Sequence, residues 1–285
     1  MSGKILEAKP FIESELMELR DIVVGMDVPP KLLIVKVGDD QASSVYVNNK
    51  LKTCARIGVA TEVIYLPAEM EEKHLIHFIE VEINNRTDIN GCIIQLPLPK
   101  HMNENKVLEA LDPQLDVDGF AKENLGKLVR GEETTVACTP RGIIDLLKFY
   151  NIPIAGKNVV IINRSTIVVK PLAMLFLNED ATVTVCHSKT HYMDLHSLIY
   201  QADIVVTAKG KPKAFKAYDF MSGTTIVDVS MNRDENGKLC GDIDKDSYER
   251  LLQNNCNIVP VPGGVGQTTV LSLIKNLLES AGQQQ

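Results

Sequence analysis

Lys31-Leu32-Leu33-Ile34-Val35-Lys36-Val37 holds five apolar side chains in seven residues and reads as a strand. A helical segment over 43 to 57 follows it. Further strands near 60 to 66 and 90 to 96 flank a helix near 70 to 84, and residues 8 to 27 pattern as a helix ahead of them all. Strands that alternate with helices imply a parallel sheet with crossover helices. An irregular stretch from Asp112 to Val136 interrupts the pattern, and a helix from Pro140 to Tyr150 starts a second alternation. Its strands are Asn158 to Ile162, Ala181 to Cys186, Asp203 to Thr207 and Thr224 to Val229, with a short apolar run at Asn257 to Val261. This half is Rossmann-like. An amphipathic segment from Thr268 to Ala281 closes the chain ahead of a glutamine-rich tail expected to fray.

At 285 residues, 45% hydrophobic and 24% charged, the chain has room for two ordinary α/β domains. A formal charge of -7 excludes general nucleic-acid affinity, which needs a basic face. No cationic leader with an apolar core opens the sequence, and no apolar run reaches the roughly 20 residues of a membrane span, so a cytosolic location is expected. Six scattered cysteines lack Cys-x-x-Cys spacing and read as reduced core residues. His187, His191 and His196 cluster in sequence, yet His187 directly follows a strand-like run, and no metal site is expected.

Four segments carry chemistry. In Ser43-Ser44-Val45-Tyr46-Val47-Asn48-Asn49-Lys50 a phenol and an amine lie four residues apart, on one helical face. Gly91-Cys92-Ile93-Ile94-Gln95-Leu96-Pro97-Leu98-Pro99 is a buried strand ending in a polar Gln and prolines, and Asp116-Val117-Asp118-Gly119-Phe120 is an acidic turn. Pro260-Val261-Pro262-Gly263-Gly264-Val265-Gly266 is a loop whose glycines permit close backbone approach and whose prolines suit cis bonds.

With Gly58-Val59, Asn124-Leu125-Gly126, Cys138-Thr139-Pro140, Arg164-Ser165, His187-Ser188, Gly210-Lys211-Pro212 and Gly241-Asp242, these segments resemble the family of bifunctional methylenetetrahydrofolate dehydrogenase/methenyltetrahydrofolate cyclohydrolases along nearly the whole chain. The resemblance implies a folate-binding catalytic domain at 1–140 plus 268–285, a Rossmann-like NADP-binding domain at 141–267, a cleft between them, and a homodimer. It also implies oxidation of 5,10-methylenetetrahydrofolate with NADP and hydrolysis of the methenyl product to 10-formyltetrahydrofolate, a step that feeds purine synthesis. Lys50 is then the central cyclohydrolase residue, Gln95 positions it, and Tyr46 lies against the aromatic part of the substrate. Asp118 reads the donor edge of the pterin, while Leu96, Pro262, Gly263 and Gly264 line the same pocket. Hydrolysis of an amidinium-like carbon moves protons on and off neighbouring atoms, work suited to a partly desolvated amine. A neutral Gln orients such an amine without locking it in an ion pair. Hydride transfer asks mainly for positioning and no separate base.

The implied cofactor contacts are Thr139, Asn163, Arg164, Ser165 and Ser188. Here the chain departs from its family: Asn163-Arg164-Ser165-Thr166-Ile167-Val168-Val169 stands where the family has Gly-Arg-Ser-x-x-Val-Gly. Asn tolerates a left-handed backbone, so the bulk and β-branching of Val169 are the expected obstruction to a pyrophosphate. Ser230-Met231 and Gln267 depart nearby. Arg164 with hydroxyl partners still favours NADP over NAD. Two other readings stand beside the bifunctional enzyme: a cyclohydrolase with weak or lost dehydrogenase activity, and a catalytically silent folate-binding homologue.

Overall fold

The computed structural model describes residues 2–283. Gln284 and Gln285, in the tail expected to fray, lie outside the described residues. The chain forms two units, Ser14–Cys138 with Val270–Gln285, and Met1–Glu13 with Thr139–Thr269.

The first unit takes helix α1 (Ala8–Val24) from Ser14 onward, then β1 (Lys31–Val37), α2 (Gln41–Ile57), β2 (Ala60–Leu66), α3 (Glu72–Phe78), β3 (Gly91–Ile94), α4 (Glu104–Glu109) and α5 (Lys122–Val129). Its parallel sheet has the order β2-β1-β3. Every residue of β1 after Lys31 is buried, the continuous pattern of a central parallel strand covered on both faces. Even Lys36 is buried, its ammonium donating to Gly38 O at 2.6 Å. Helix α2 begins two residues before the predicted start because the Asp40 carboxylate accepts from Ser43 N at 2.7 Å, an N-cap that satisfies an otherwise orphaned donor. Helix α3 continues into one π-helical turn, Ile79–Ile83, and together they fill the helix predicted at 70–84. Leu75, Ile79 and Ile83 recur every four residues and pack in one core with Leu33, Val35 and Ile94. Helix α5 lies inside the stretch expected to be irregular. It buries only Asn124 and Leu128 and has no side-chain cap, so its periodicity is faint in the sequence.

The second unit holds α6 (Cys138–Phe149) from Thr139, then β4 (Asn158–Ile162), α7 (Val169–Asn178), β5 (Thr182–Cys186), α8 (Tyr192–Gln201), β6 (Ile204–Thr207), β7 (Thr225–Asp228), the hairpin β8 (Asn232–Arg233) and β9 (Leu239–Cys240), α9 (Tyr248–Gln253) and β10 (Asn257–Val259). Its five-stranded parallel sheet runs β10-β7-β6-β4-β5. From β4 the chain steps to β5 on one side, and the next strand, β6, pairs on the other side. That reversal opens a crevice beyond the carboxyl ends of β4 and β6, the ligand position of open α/β sheets.

Residues 2–13 pack with this second unit, whereas the sequence reading assigned them to the folate domain. Backbone pairing is the cause: Leu6 N donates to Ile258 O at 2.7 Å and Ile258 N donates to Lys4 O at 2.9 Å, which lays the N-terminal segment along β10. Tyr150 OH donates to Glu7 O at 2.7 Å, and the Phe11 and Phe149 rings lie 5.4 Å apart.

Helix α10 (Val265–Gln283) contributes Val270 onward to the first unit. Its buried Asn276 donates to Val117 O at 2.8 Å and Val136 O at 2.9 Å, and Ser280 Oγ donates to Asn90 O at 2.7 Å. All six cysteines are unpaired, and five are buried. Among the described residues no helix is long and apolar enough to cross a membrane.

Candidate active site

Lys50 lies on the inner face of α2, only 7% exposed, and its ammonium donates to Gln95 Oε1 at 3.0 Å. Gln95 follows β3 directly. Its own N–H donates to Val35 O at 2.8 Å, and its side-chain amide donates to Leu96 O at 2.7 Å, so the acceptor oxygen is turned to the amine. Leu96 O also accepts from Ser43 Oγ at 3.3 Å, which ties the start of α2 to the same strand end. The Leu96-Pro97 bond is cis. Among the described residues Gln95 is the one hydrogen-bond partner of the Lys50 ammonium, and no carboxylate pairs with it. Tyr46, one helical turn earlier, is 40% exposed.

Asp118 lies in the acidic turn, where Cys138 Sγ donates to Val117 O at 3.4 Å and approaches Asp118 Oδ1 at 3.6 Å. Burial holds the Cys138 thiol well above its ordinary range, Asp118 pushes the same way, and the Lys50 charge opposes them. One thiol therefore feels both charges, and the two predicted residues share a neighbourhood. The turn is built by Asp116, which accepts from Gly119 N at 3.0 Å, Ala121 N at 2.6 Å and Asn124 Nδ2 at 3.2 Å. Asp116 had no assigned role in the sequence, although it stands two residues from Asp118.

Pro262, Gly263 and Gly264 belong to the second unit. The Val261-Pro262 bond is cis, and Gly263 sits at φ +104°. A Cβ on Gly264 would stand 2.4 Å from Pro260 O, so glycine is required there by space alone. The loop is pinned by Ala8 N, which donates to Gly263 O at 2.8 Å.

At the switch point of the second sheet lies a cavity of about 460 Å³, lined by Asn163, Arg164, His187, Ser188, Lys209 and Lys211 among others. Ile162, Tyr192 and Leu195 give it an apolar wall. Cations and hydroxyls beside an apolar wall form the donor set that an adenosine carrying a phosphomonoester requires, so the residues present fit a phosphorylated nucleotide. Ser165 is engaged locally, Oγ accepting from Val169 N at 3.2 Å. Thr139 pairs with Thr269, their hydroxyls 3.3 Å apart. Val169 is buried at the start of α7, and it does not adopt a positive φ. The expected obstruction therefore does not stand there: its side chain points into the core. Asn163 is the strained position, at φ +136°. The histidines act separately, His187 Nδ1 accepting from Lys189 N at 3.2 Å and His196 pairing with Asp219 at 2.9 Å.

Residues 6–118 match the profile of the tetrahydrofolate dehydrogenase/cyclohydrolase catalytic domain, and residues 137–285 match that of the NAD(P)-binding domain of the same family. The chain belongs to this family. A curated relative, the bifunctional protein FolD of Lachnoclostridium phytofermentans, is 44% identical over 275 residues, covering 96% of this chain and 94% of its own. The crystal structure of FolD from Campylobacter jejuni is 35% identical and superposes with a TM-score of 0.93 over 100% of both chains. The Trypanosoma brucei methylenetetrahydrofolate dehydrogenase-cyclohydrolase, solved with NADP and an inhibitor, is 30% identical with a TM-score of 0.90, covering 99% of this chain and 98% of its own. The protein is a folate enzyme of one-carbon metabolism, a bifunctional dehydrogenase and cyclohydrolase with the family's catalytic and NAD(P)-binding domains.

The sequence reading did not single out the polar hub that shapes the crevice of this family member. Asp242 accepts from Thr207 Oγ1, Lys209 N, Lys211 N, Ser230 Oγ and Asn232 Nδ2, at 2.6 to 3.0 Å. Ser230, one of the departures, thereby ties the end of β7 to the loop carrying Lys209 and Lys211, and its Oγ also accepts from Gly210 N at 3.0 Å. Beside it, Asp228 is fully buried.

Burial pushes Asp228 up to about 7 and Asp116 up to about 6, from an ordinary value of 3.8. Both carboxyls bind protons more tightly folded than unfolded. Their contribution to stability is complete below pH 3.8 and is lost as pH rises through 6 and 7. Unfolding free energy is therefore expected to fall between about pH 4 and pH 7, by up to about 1.4 kcal/mol per pH unit for each group while the pH lies between its unfolded and folded values, and to level off above. Urea titrations at matched ionic strength check this, and stability that rises over the same interval would contradict it.

Proposed function

We propose that the protein oxidises 5,10-methylenetetrahydrofolate with NADP and hydrolyses the 5,10-methenyl product to 10-formyltetrahydrofolate, with Lys50 as the proton-transfer residue of the hydrolysis. The observation that carries this reading is the Lys50–Gln95 pair: a buried amine held by a neutral amide and free of any carboxylate partner among the described residues. A structural buried lysine is held by a charge or, as Lys36 is by Gly38 O, by a backbone carbonyl, whereas Lys50 is held by the mobile side chain of a polar residue. An amine left without a charged partner can exchange its proton with substrate.

In the hydrolysis, water adds to the amidinium carbon, and Lys50, entering this step as the neutral amine, accepts the proton that the water loses and becomes the ammonium. A proton then passes to the departing pterin nitrogen as its bond to that carbon breaks, leaving the formyl group on the other nitrogen; one proton is released overall. Gln95 keeps the amine aimed through this exchange. Asp118 binds the pterin donor edge, Tyr46 covers the aromatic part of the substrate, and Leu96, Pro262, Gly263 and Gly264 complete the folate contacts. NADP supplies a hydride acceptor when bound. Arg164 and Ser188 read its 2′-phosphate, and Asn163, Ser165 and Thr139 complete the contacts of the second unit. A homodimer in the cytosol belongs to the same proposal.

The purified protein is expected to hydrolyse methenyltetrahydrofolate without nucleotide and to form NADPH from methylenetetrahydrofolate and NADP. Hydrolysis without NADPH formation would leave a cyclohydrolase alone. Absence of both activities in a folded sample would leave a silent homologue.

A further inference from the structure

Helix α8 follows β5, so its first turn stands at the carboxyl end of the sheet, beside the crevice. Its first residue is Tyr192, and helical side chains lean toward the helix N-terminus. The phenol ring thereby joins the wall of the cavity of about 460 Å³ while it stays 68% exposed. An exposed tyrosine on a helix is ordinarily a solvated surface residue. This one is fixed from behind. The His196 ring, one helical turn on, packs against it with centroids 4.2 Å apart and planes inclined at 53°. His196 is itself aimed by the buried Asp219, whose Oδ1 lies 2.9 Å from His196 Nδ1 and whose Oδ2 accepts from Lys216 N at 2.7 Å. The turn ahead of α8 is fixed as well. His187 N donates to Thr190 Oγ1 at 2.9 Å and Thr190 N donates to His187 O at 2.9 Å, in a turn that brings Ser188 to the same cavity. An aromatic ring held in place before any ligand arrives therefore shares one cavity with Ser188, Arg164, Lys209 and Lys211.

We propose that Tyr192 is the adenine platform of the second unit: its ring, backed by His196, stacks on the purine of an adenine nucleotide whose phosphomonoester is taken by the cations of the same cavity. This deepens, and rests on, the reading that the second unit binds NADP. A purine presents a π-face that any aromatic ring can cover, and truncating such a ring commonly costs about tenfold in affinity. The phenol hydroxyl is not needed for that contact. A ring already immobilised gives up little rotamer freedom when the base arrives, so His196 adds affinity without touching the nucleotide.

The test is a calorimetric titration of the wild type, Tyr192→Ala, Tyr192→Phe and His196→Ala with NADP and with adenosine 2′-monophosphate. Tyr192→Ala should weaken both ligands by the same factor, about tenfold, while Tyr192→Phe should bind both within about twofold of the wild type and His196→Ala should lose about threefold. A further variant reads the contact directly. The chain has no tryptophan, so Tyr192→Trp carries a single one, whose emission should be quenched saturably by adenosine 2′-monophosphate. Unaltered affinity in Tyr192→Ala, a loss confined to NADP, or unchanged emission at saturating adenosine 2′-monophosphate would overturn the platform and leave the cofactor reading intact. A loss in Tyr192→Phe equal to that in Tyr192→Ala would overturn stacking as the contact, and wild-type affinity in His196→Ala would overturn the backing role of His196. A wild type that binds neither NADP nor adenosine 2′-monophosphate would overturn both readings.

Discussion

Lys50→Met is expected to cut methenyltetrahydrofolate hydrolysis by orders of magnitude and to spare much of the NADP-linked oxidation. Methionine keeps a stem of similar length and adds no charge, so the inner face of α2 stays filled where Lys50 is 7% exposed. What disappears is the nitrogen that Gln95 holds at 3.0 Å. Removing a positioned proton-transfer group typically costs 10²- to 10⁴-fold, and a loss of that size in hydrolysis is expected. Hydride transfer is driven by the substrate's own nitrogen lone pair and depends on positioning, so a much smaller loss is expected in oxidation. Measuring both rates on one preparation separates this from misfolding, which would depress them together. Hydrolysis retained at the wild-type rate would remove Lys50 from the mechanism.

The largest stability effect is expected from Gly241→Ala, roughly 3 to 5 kcal/mol. An added Cβ would stand 1.9 Å from Asp228 Oδ2 and 2.4 Å from its carboxyl carbon. The carboxyl has no free direction to move, since Oδ2 accepts from Ile243 N at 2.9 Å and Oδ1 accepts from Ser230 N at 3.2 Å. Yielding to the methyl group strips a fully buried oxygen of its donors, so a packing penalty and an unsatisfied polar group add together. Gly126→Ala is the matched control: exposed on α5 with nothing within 4 Å of the new Cβ, it should stabilise the chain by up to about 1 kcal/mol. The chain has no tryptophan, so circular dichroism is the suitable probe of urea unfolding. Gly241→Ala with wild-type stability would show that the acidic hub is looser than its hydrogen bonds indicate.

Much of the architecture was legible because the central strands are unbroken apolar runs. β1 and β4 occupy the residues expected of them, as does the half-exposed edge strand β2, while β3 stops at Ile94, where Gln95 turns its side chain to Lys50. Helix α5 was not legible, since half-buried polar segments lack a periodic stripe. Nor was the placement of residues 1–13, which depends on backbone pairing with Ile258 and leaves no side-chain pattern. Lys50 and Gln95 are 45 residues apart, so spacing could not join them, and only the resemblance did. The turn after β4 shows the limit most clearly. Sequence identifies two missing glycines, but which Cβ meets the crevice depends on backbone direction: Val169 faces the core and Asn163 faces the cavity.

The first unit is stitched shut by the last helix, through Asn276 to Val117 and Val136 and through Ser280 to Asn90. Those carbonyls are made early in translation and their donors last, after the whole of residues 139–269 has emerged. On the ribosome the first unit therefore cannot complete these bonds until after the second unit has all its residues. The segment that becomes the acidic turn spends that interval without its bond from Asn276, so removal of the last helix is expected to weaken the first unit more than the second.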